Sequence, residues 1–132
     1  MTVSVLLGIV WLLLASPAFA GHGTGGSMLV TPSEYAKRLL DEGNAPTFID
    51  LRSAEEFKTS LLPRARSIPL TEFQQRYREV PARGRVVLYC ACPEEKIREA
   101  YQVLRDQGYR NISVMIDGFD GWIKRGYALE RN

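Results

Sequence analysis

VVLYCACPEEKIREA, residues 86–100, is the stretch on which the fold turns. Its first half is a continuous apolar run that ends in Cys90. A strand with one wet face alternates apolar and polar residues, whereas a run apolar at every position suits a central parallel strand covered on both faces. The second half opens with Pro93, Glu94 and Glu95, residues favoured in the first turn of a helix. Beyond them Ile97, Ala100, Tyr101, Val103 and Leu104 recur on one side at helical spacing, and Gly108 suits the C-terminal cap. A buried strand therefore hands over directly to a long helix, and Cys90 stands at the junction.

The same alternation extends outward. MLV (28–30) reads as a short strand, and Thr31-Pro32-Ser33-Glu34 has the form of a capping box with proline at the first helical position. The helix PSEYAKRLLDE (32–42) is expected to bury Tyr35, Leu39 and Leu40 or their neighbours and to stop at Gly43. TFIDL (47–51) is a second buried strand, and Ser53 to Glu56 caps a short helix. ARSIPL (65–70) is extended, and Thr71 to Gln74 caps another helix reaching about Tyr77. ISVMI (112–116) gives a further strand, and GFDGWIKRG (118–126) a last short helix. Strands alternating with helices predict an α/β domain with a mainly parallel sheet. Ligands of such sheets bind outside the C-terminal ends of the strands, where Cys90 lies.

The chain has 132 residues, room for one domain, and a net charge of +2, too small to imply nucleic acid as a partner. Residues 3–15, VSVLLGIVWLLLA, carry no charge and lead to SPAFA (16–20), which ends in the A-x-A pattern of a signal-peptide cleavage site. Residues 1–20 are therefore expected to be a signal peptide cleaved after Ala20, although the segment has no Lys or Arg ahead of its apolar run. The alternative is an uncleaved anchor at 3–15, the one way in which a membrane would become a partner. Either way the domain is expected outside the cytoplasm, as in a bacterial periplasm, which is oxidising. GHGTGGS (21–27) is a glycine-rich linker that contains His22, the only histidine, and a flexible tether cannot hold a ligand in place. The working domain is then 28–132. No metal-ligand cluster and no phosphate-binding glycine fingerprint occurs, so neither a metal nor an organic cofactor is expected.

A cysteine at a strand end before a helix has two readings. Buried cysteine is commonly an inert core residue. Alternatively, free N–H groups and the helix dipole lower a thiol's pKa and stabilise thiolate, persulfide or a bound oxyanion. Lys96, in the first turn, would add positive charge, while Glu94 and Glu95 oppose it. The local residues alone leave this open.

Four segments bear on it. FIDLRSAEEF (48–57), LLPRARSIPL (61–70), VVLYC (86–90) and LRDQGYRNISVMIDGFDGWIKRGYALE (104–130) together resemble the single-domain rhodaneses, the thiosulfate sulfurtransferase superfamily. They resemble, in order, the family's D-x-R-x-x-x-E-[FY] motif, its I-P-G-A-x-x-I-P segment, its cysteine-bearing strand and its closing G-G-x-x-x-W-x-x-x-G-[YF]-P pattern. The resemblance implies a five-stranded parallel sheet with helices on both faces, and a monomer. It implies that Cys90 attacks a sulfane-sulfur donor, thiosulfate or a persulfide, and passes the sulfur to a thiol or cyanide. Arg52 would border the pocket, with a salt bridge to Glu56 as its alternative role; Asp50 would be structural and Trp122 core.

The active loop departs from the family's C-R-x-G-x-R-[ST]. Cys90 to Gly108 spans 18 positions, one more than usual. Ala91 stands for the first arginine, Cys92 or Pro93 for the glycine, and Lys96 for the second arginine. The substrate loop is thus Ala91, Cys92, Glu94, Glu95 and Lys96, and its acidic residues imply weak activity with the thiosulfate dianion. The longer loop resembles that of related phosphatases, but lysine lacks arginine's bidentate fork. Elsewhere the family's turn glycines are Arg64 and Asp117, and its closing proline is Ala128. Cys92 adds a possibility of its own: a passive loop residue, the helix cap, or a resolving thiol toward Cys90, whose small ring would be readily reduced. Two other functions therefore remain beside sulfur transfer, a thiol–disulfide redox protein using Cys90 and Cys92, and a non-catalytic binding module.

Overall fold

The computed structural model describes residues 26–132. The signal-peptide and cleavage expectation at 1–20, the alternative anchor at 3–15, and His22 with most of the linker lie outside the described residues. Four strands, β1 (Thr47–Asp50), β2 (Arg66–Ser67), β3 (Val86–Tyr89) and β4 (Ile112–Val114), pair in the order β2-β1-β3-β4. Every pairing is parallel. The helices are α1 (Ser33–Asp41), α2 (Ala54–Thr59), α3 (Phe73–Arg76), α4 (Glu94–Asp106) and α5 (Gly118–Lys124). The fifth strand implied by the family resemblance is reduced to a parallel bridge between Val30 and Val114. Thr31 N–H donates to the Val114 carbonyl at 2.9 Å, and the next residue, Pro32, has no N–H to extend the ladder.

β3 is the axis of the domain because its apolar run fills two cores. Val86, Leu88 and Cys90 face one side with Ile97, Ala100, Tyr101 and Leu104 of α4. Val87 and Tyr89 face the other with Ala36 of α1 and Phe119 and Trp122 of α5. Residues Val86 to Tyr89 are all fully buried, and full burial of such side chains contributes ~1.5–3 kcal/mol each. The second core is aromatic: Phe48 meets Tyr89 and Trp122 edge to face at centroid separations of 6.4 and 5.8 Å.

Local capping follows the sequence at α2 and departs from it at α1 and α3. Ser53 and Glu56 form a reciprocal capping box at the start of α2. At α1 the expected box is absent, and Pro32 is the cap without a side-chain bond. Its members are engaged elsewhere, since Thr31 bonds Ser113 and Glu34 pairs with Arg125, the C-cap of α5. Of the expected Tyr35 or its neighbours, it is Ala36 that is buried, while Tyr35 is exposed with the guanidinium groups of Arg38 and Arg85 at 5.0 and 5.7 Å from its ring centroid. Leu70–Glu72 is a 3₁₀ turn leading into α3, with no side-chain cap from Thr71.

Two departures from the family pattern keep their turns. Arg64 adopts φ 60°, the left-handed region that glycine would occupy freely, and its N–H donates to Glu130 Oε2 at 3.1 Å. Asp117 has an ordinary φ of −76° and accepts from Ser33 Oγ and Arg125 Nη1 at 2.5 and 2.8 Å, which ties α1 to α5.

Candidate active site

Cys90 is the first residue beyond β3, at the C-terminal edge of the sheet, and only 8% exposed. Its backbone is held from the neighbouring β4–α5 turn, where Phe119 N–H donates to the Cys90 carbonyl at 3.1 Å. Gly118 makes this approach possible. It has φ 57°, and a Cβ there would lie 2.3 Å from the Cys90 carbonyl oxygen. A glycine 28 positions downstream thus fixes the cysteine.

Behind Cys90 the chain makes a short bend through exposed Ala91 and half-buried Cys92 before Pro93 caps α4. Cys90 and Cys92 are joined by a disulfide with their Cα atoms 5.4 Å apart. No side chain caps α4, in contrast to α2; Lys96 N–H donates to the Pro93 carbonyl at 3.0 Å, and the Glu94 and Glu95 N–H groups are left for an anion. Glu94 forms an ion pair with Arg98, and Lys96 pairs with Glu99 at 3.3 Å. Lys96 also lines a groove of about 260 Å³ between α3 and α4, with Phe73, Gln74, Ala100 and Val103. Glu95 is exposed. The three charged loop residues therefore lie along the first turn of α4, two of them paired within the helix.

Arg52 belongs to the opposite face of the sheet. Its salt bridge is to Asp50, not Glu56, because the Glu56 carboxylate closes the α2 cap on Ser53. Asp50 is fully buried and accepts from Arg52 N–H at 2.9 Å, Arg52 Nη2 at 2.6 Å and Tyr89 Oη at 2.5 Å. Arg52 Nη2 also donates to the Ser60 carbonyl at 2.6 Å, and the guanidinium carbon lies 3.6 Å from the Phe119 ring centroid. Burial works against the charge on Arg52, but Asp50 more than reverses this, leaving Arg52 above its ordinary pKa. Burial, reinforced by the Asp50 carboxylate, likewise raises the Tyr89 phenol above its ordinary range.

Arg52 thus reaches Cys90 indirectly, through Phe119, whose ring it covers and whose N–H binds the Cys90 carbonyl, and through Asp50 and Tyr89, the residue before Cys90. Tyr89, Ser60, Gly118 and Phe119 complete the support around the loop, and reading the sequence singled out none of them for it. A signal existed for Tyr89: a tyrosine in a strand buried on both faces must bring its hydroxyl to a polar partner. Among the described residues no group of three or more His, Cys, Asp or Glu side chains is placed to hold a metal ion, and no helix is long and apolar enough to cross a membrane.

A parallel α/β sheet with a cysteine delivered from its central strand to an uncapped helix start defines a class of strand-end cysteine domains. Residues 31–125 match the family model of the rhodanese-like domain, and the chain belongs to that family. It is 27% identical over 103 residues to the adenylyltransferase and sulfurtransferase MOCS3-2 of Zea mays, covering 73% of this chain and 21% of that protein. It is 25% identical over 97 residues to a sulfurtransferase of Allochromatium vinosum, covering 74% of this chain and 90% of that one. Among solved structures, a thiosulfate sulfurtransferase from Pseudomonas aeruginosa superposes with a TM-score of 0.67 at 26% identity, over 79% of this chain and 20% of that one. The chain thus spans about a fifth of the maize protein and of the Pseudomonas one.

Proposed function

We propose that the chain is an exported sulfurtransferase that carries sulfane sulfur as a persulfide on Cys90. The observation that carries this reading is the placement of Cys90 at the end of β3, before the uncapped first turn of a 13-residue helix. The helix dipole and free N–H groups favour an anionic sulfur there. The sulfurtransferases among its relatives support the same chemistry. Cys90 thiolate attacks the outer sulfur of thiosulfate or of a small persulfide, and the S–S bond of the donor breaks. Sulfite or a thiolate leaves with the bonding pair, and a thiol or cyanide later collects the sulfur. Glu94 and Glu95 disfavour the thiosulfate dianion, so a persulfide, with at most a single negative charge at its reacting end, is the better donor. Export follows the expected cleavage after Ala20, which would leave Gly21 as the mature N-terminus.

The reduced full chain is offered thiosulfate and glutathione persulfide in turn, and release of sulfite or glutathione is measured. About one equivalent per chain should appear as a burst, and Cys90→Ser should give none. Absence of release from both donors overturns the reading. The Cys90–Cys92 disulfide favours a second reading, a thiol–disulfide protein; two free thiols surviving mild oxidation would dismiss it.

A further inference from the structure

The sulfur-carrier reading gives Cys90 a task and Cys92 none, yet the structure joins the two. Their side chains lie on the same short bend, with the Cα atoms 5.4 Å apart and only Ala91 between. Cys90 is the fixed partner, held by β3 and by the Phe119 N–H. Cys92 lies on the loop side, half-buried against the α4 core, and the rigid ring of Pro93 follows it. Its sulfur therefore reaches the Cys90 Sγ itself, which in a persulfide is the inner of the two sulfurs. The distinction matters chemically. Attack on the outer sulfur merely moves the sulfane atom, whereas attack on the inner one expels it.

We infer that Cys92 is a resolving thiol that makes the chain a sulfane-sulfur reductase, releasing hydrogen sulfide. The inference rests on the Cys90 persulfide proposed above. In the step, the Cys90 persulfide and the Cys92 thiol give the Cys90–Cys92 disulfide and one molecule of hydrogen sulfide. The Cys92 thiolate forms a bond to Cys90 Sγ, and the bond from Cys90 Sγ to the outer sulfur breaks. The outer sulfur leaves with the bonding pair as hydrosulfide and takes the proton that Cys92 gave up. The sulfane atom is reduced by two electrons, and the two cysteines are together oxidised by two. An external dithiol then returns both cysteines to thiols by exchange through a mixed disulfide. The disulfide seen in the structure is, on this account, the state left after sulfide departs. The substrates are a sulfane donor and a dithiol reductant, and the products are sulfide, the remainder of the donor and an oxidised dithiol.

The full chain is reduced, freed of reductant, and given one equivalent of glutathione persulfide per chain. Intact mass, free thiols and sulfide are then read together for wild type, Cys92→Ser and Cys92→Ala, with far-UV circular dichroism to establish that both variants fold. Wild type should release about one sulfide per chain, lose both thiols and end roughly 2 Da below the reduced mass. Both variants should instead keep an adduct of about 32 Da and release sulfide only when an external thiol is added. A wild-type adduct that persists with Cys92 free would overturn the resolving role and leave the carrier reading standing. The same holds if the variants release sulfide as fast as wild type. If neither variant takes up sulfur, the carrier reading itself fails, and this inference with it.

Discussion

Tyr89 and Cys90 are neighbours in the chain, both buried, and face opposite sides of the sheet. Tyr89 points into the aromatic core, and its hydroxyl belongs to a buried network with Asp50 and Arg52. Cys90 points to the other face and leads into a bend whose following helix has no side-chain cap. One side of the strand end is saturated with hydrogen bonds, and the other is left with unclaimed N–H groups and two sulfurs. The difference teaches how the domain divides its labour: the Asp50–Arg52–Tyr89 side holds the strand ends rigid, and the Cys90 side is kept open for an anion. Arg52, the conspicuous arginine of the family motif, stands on the rigid side.

The sharpest way to break this comparison is to remove Asp50. Asp50→Ala leaves the Arg52 side chain, 3% exposed, without its counter-ion, and Tyr89 without its acceptor. Breaking a buried pair in this way costs about 3–5 kcal/mol, a large fraction of a small domain's stability. The urea midpoint of Asp50→Ala should fall steeply, while molecules that remain folded still take up sulfur. A variant that kept its midpoint but lost uptake would move the network from support to chemistry.

Gly118 is where the two sides meet, since its residue carries the turn that hydrogen-bonds Cys90. In Gly118→Ala a methyl group would meet the Cys90 carbonyl oxygen, and alanine would have to adopt φ 57°. The backbone strain alone costs on the order of 1–3 kcal/mol. Displacing the Cys90 carbonyl should also slow sulfur uptake, by tenfold to roughly a hundredfold if the sulfur moves by about 1 Å. Both urea unfolding and the uptake burst would register it. Unchanged uptake in a destabilised protein would show that the turn supports the fold only.

Much of this was legible in the residues because local pattern and tertiary role coincide there. The unbroken apolar run before Cys90 fixes a two-sided strand, and the helical spacing after Pro93 fixes α4. The capping box at Ser53 formed because no distant partner competes for Ser53 or Glu56. The identical-looking box at Thr31 did not, because Ser113 and Arg125 arrive from elsewhere in the chain. Arg52 misleads for the same reason: sequence distance pairs it with Glu56, one turn away, while the fold offers it a buried carboxylate two residues back. The support of Cys90 by Gly118 was hidden because it depends on how the β4–α5 turn packs, which no local spacing encodes.

The smallest effect tests the rigid side by its proton. Tyr89→Phe removes a hydroxyl that donates to Asp50 and accepts from Leu62 N–H at 3.3 Å, which should cost about 1–2 kcal/mol at neutral pH. Because the folded phenol's pKa is raised, the folded state holds its proton where the unfolded chain begins to release it, near pH ~10. The stability contributed by this group is therefore complete below that pH and declines above it, with a slope approaching ~1.4 kcal/mol per pH unit. Phenylalanine has no proton to lose at this position. Urea midpoints of wild type and Tyr89→Phe should thus be well separated at pH ~8 and converge as pH passes ~10. Curves that stay parallel through that range would mean that the Tyr89 hydroxyl ionises as freely in the folded chain as in the unfolded one, and the closed character assigned to its side of the strand would be lost.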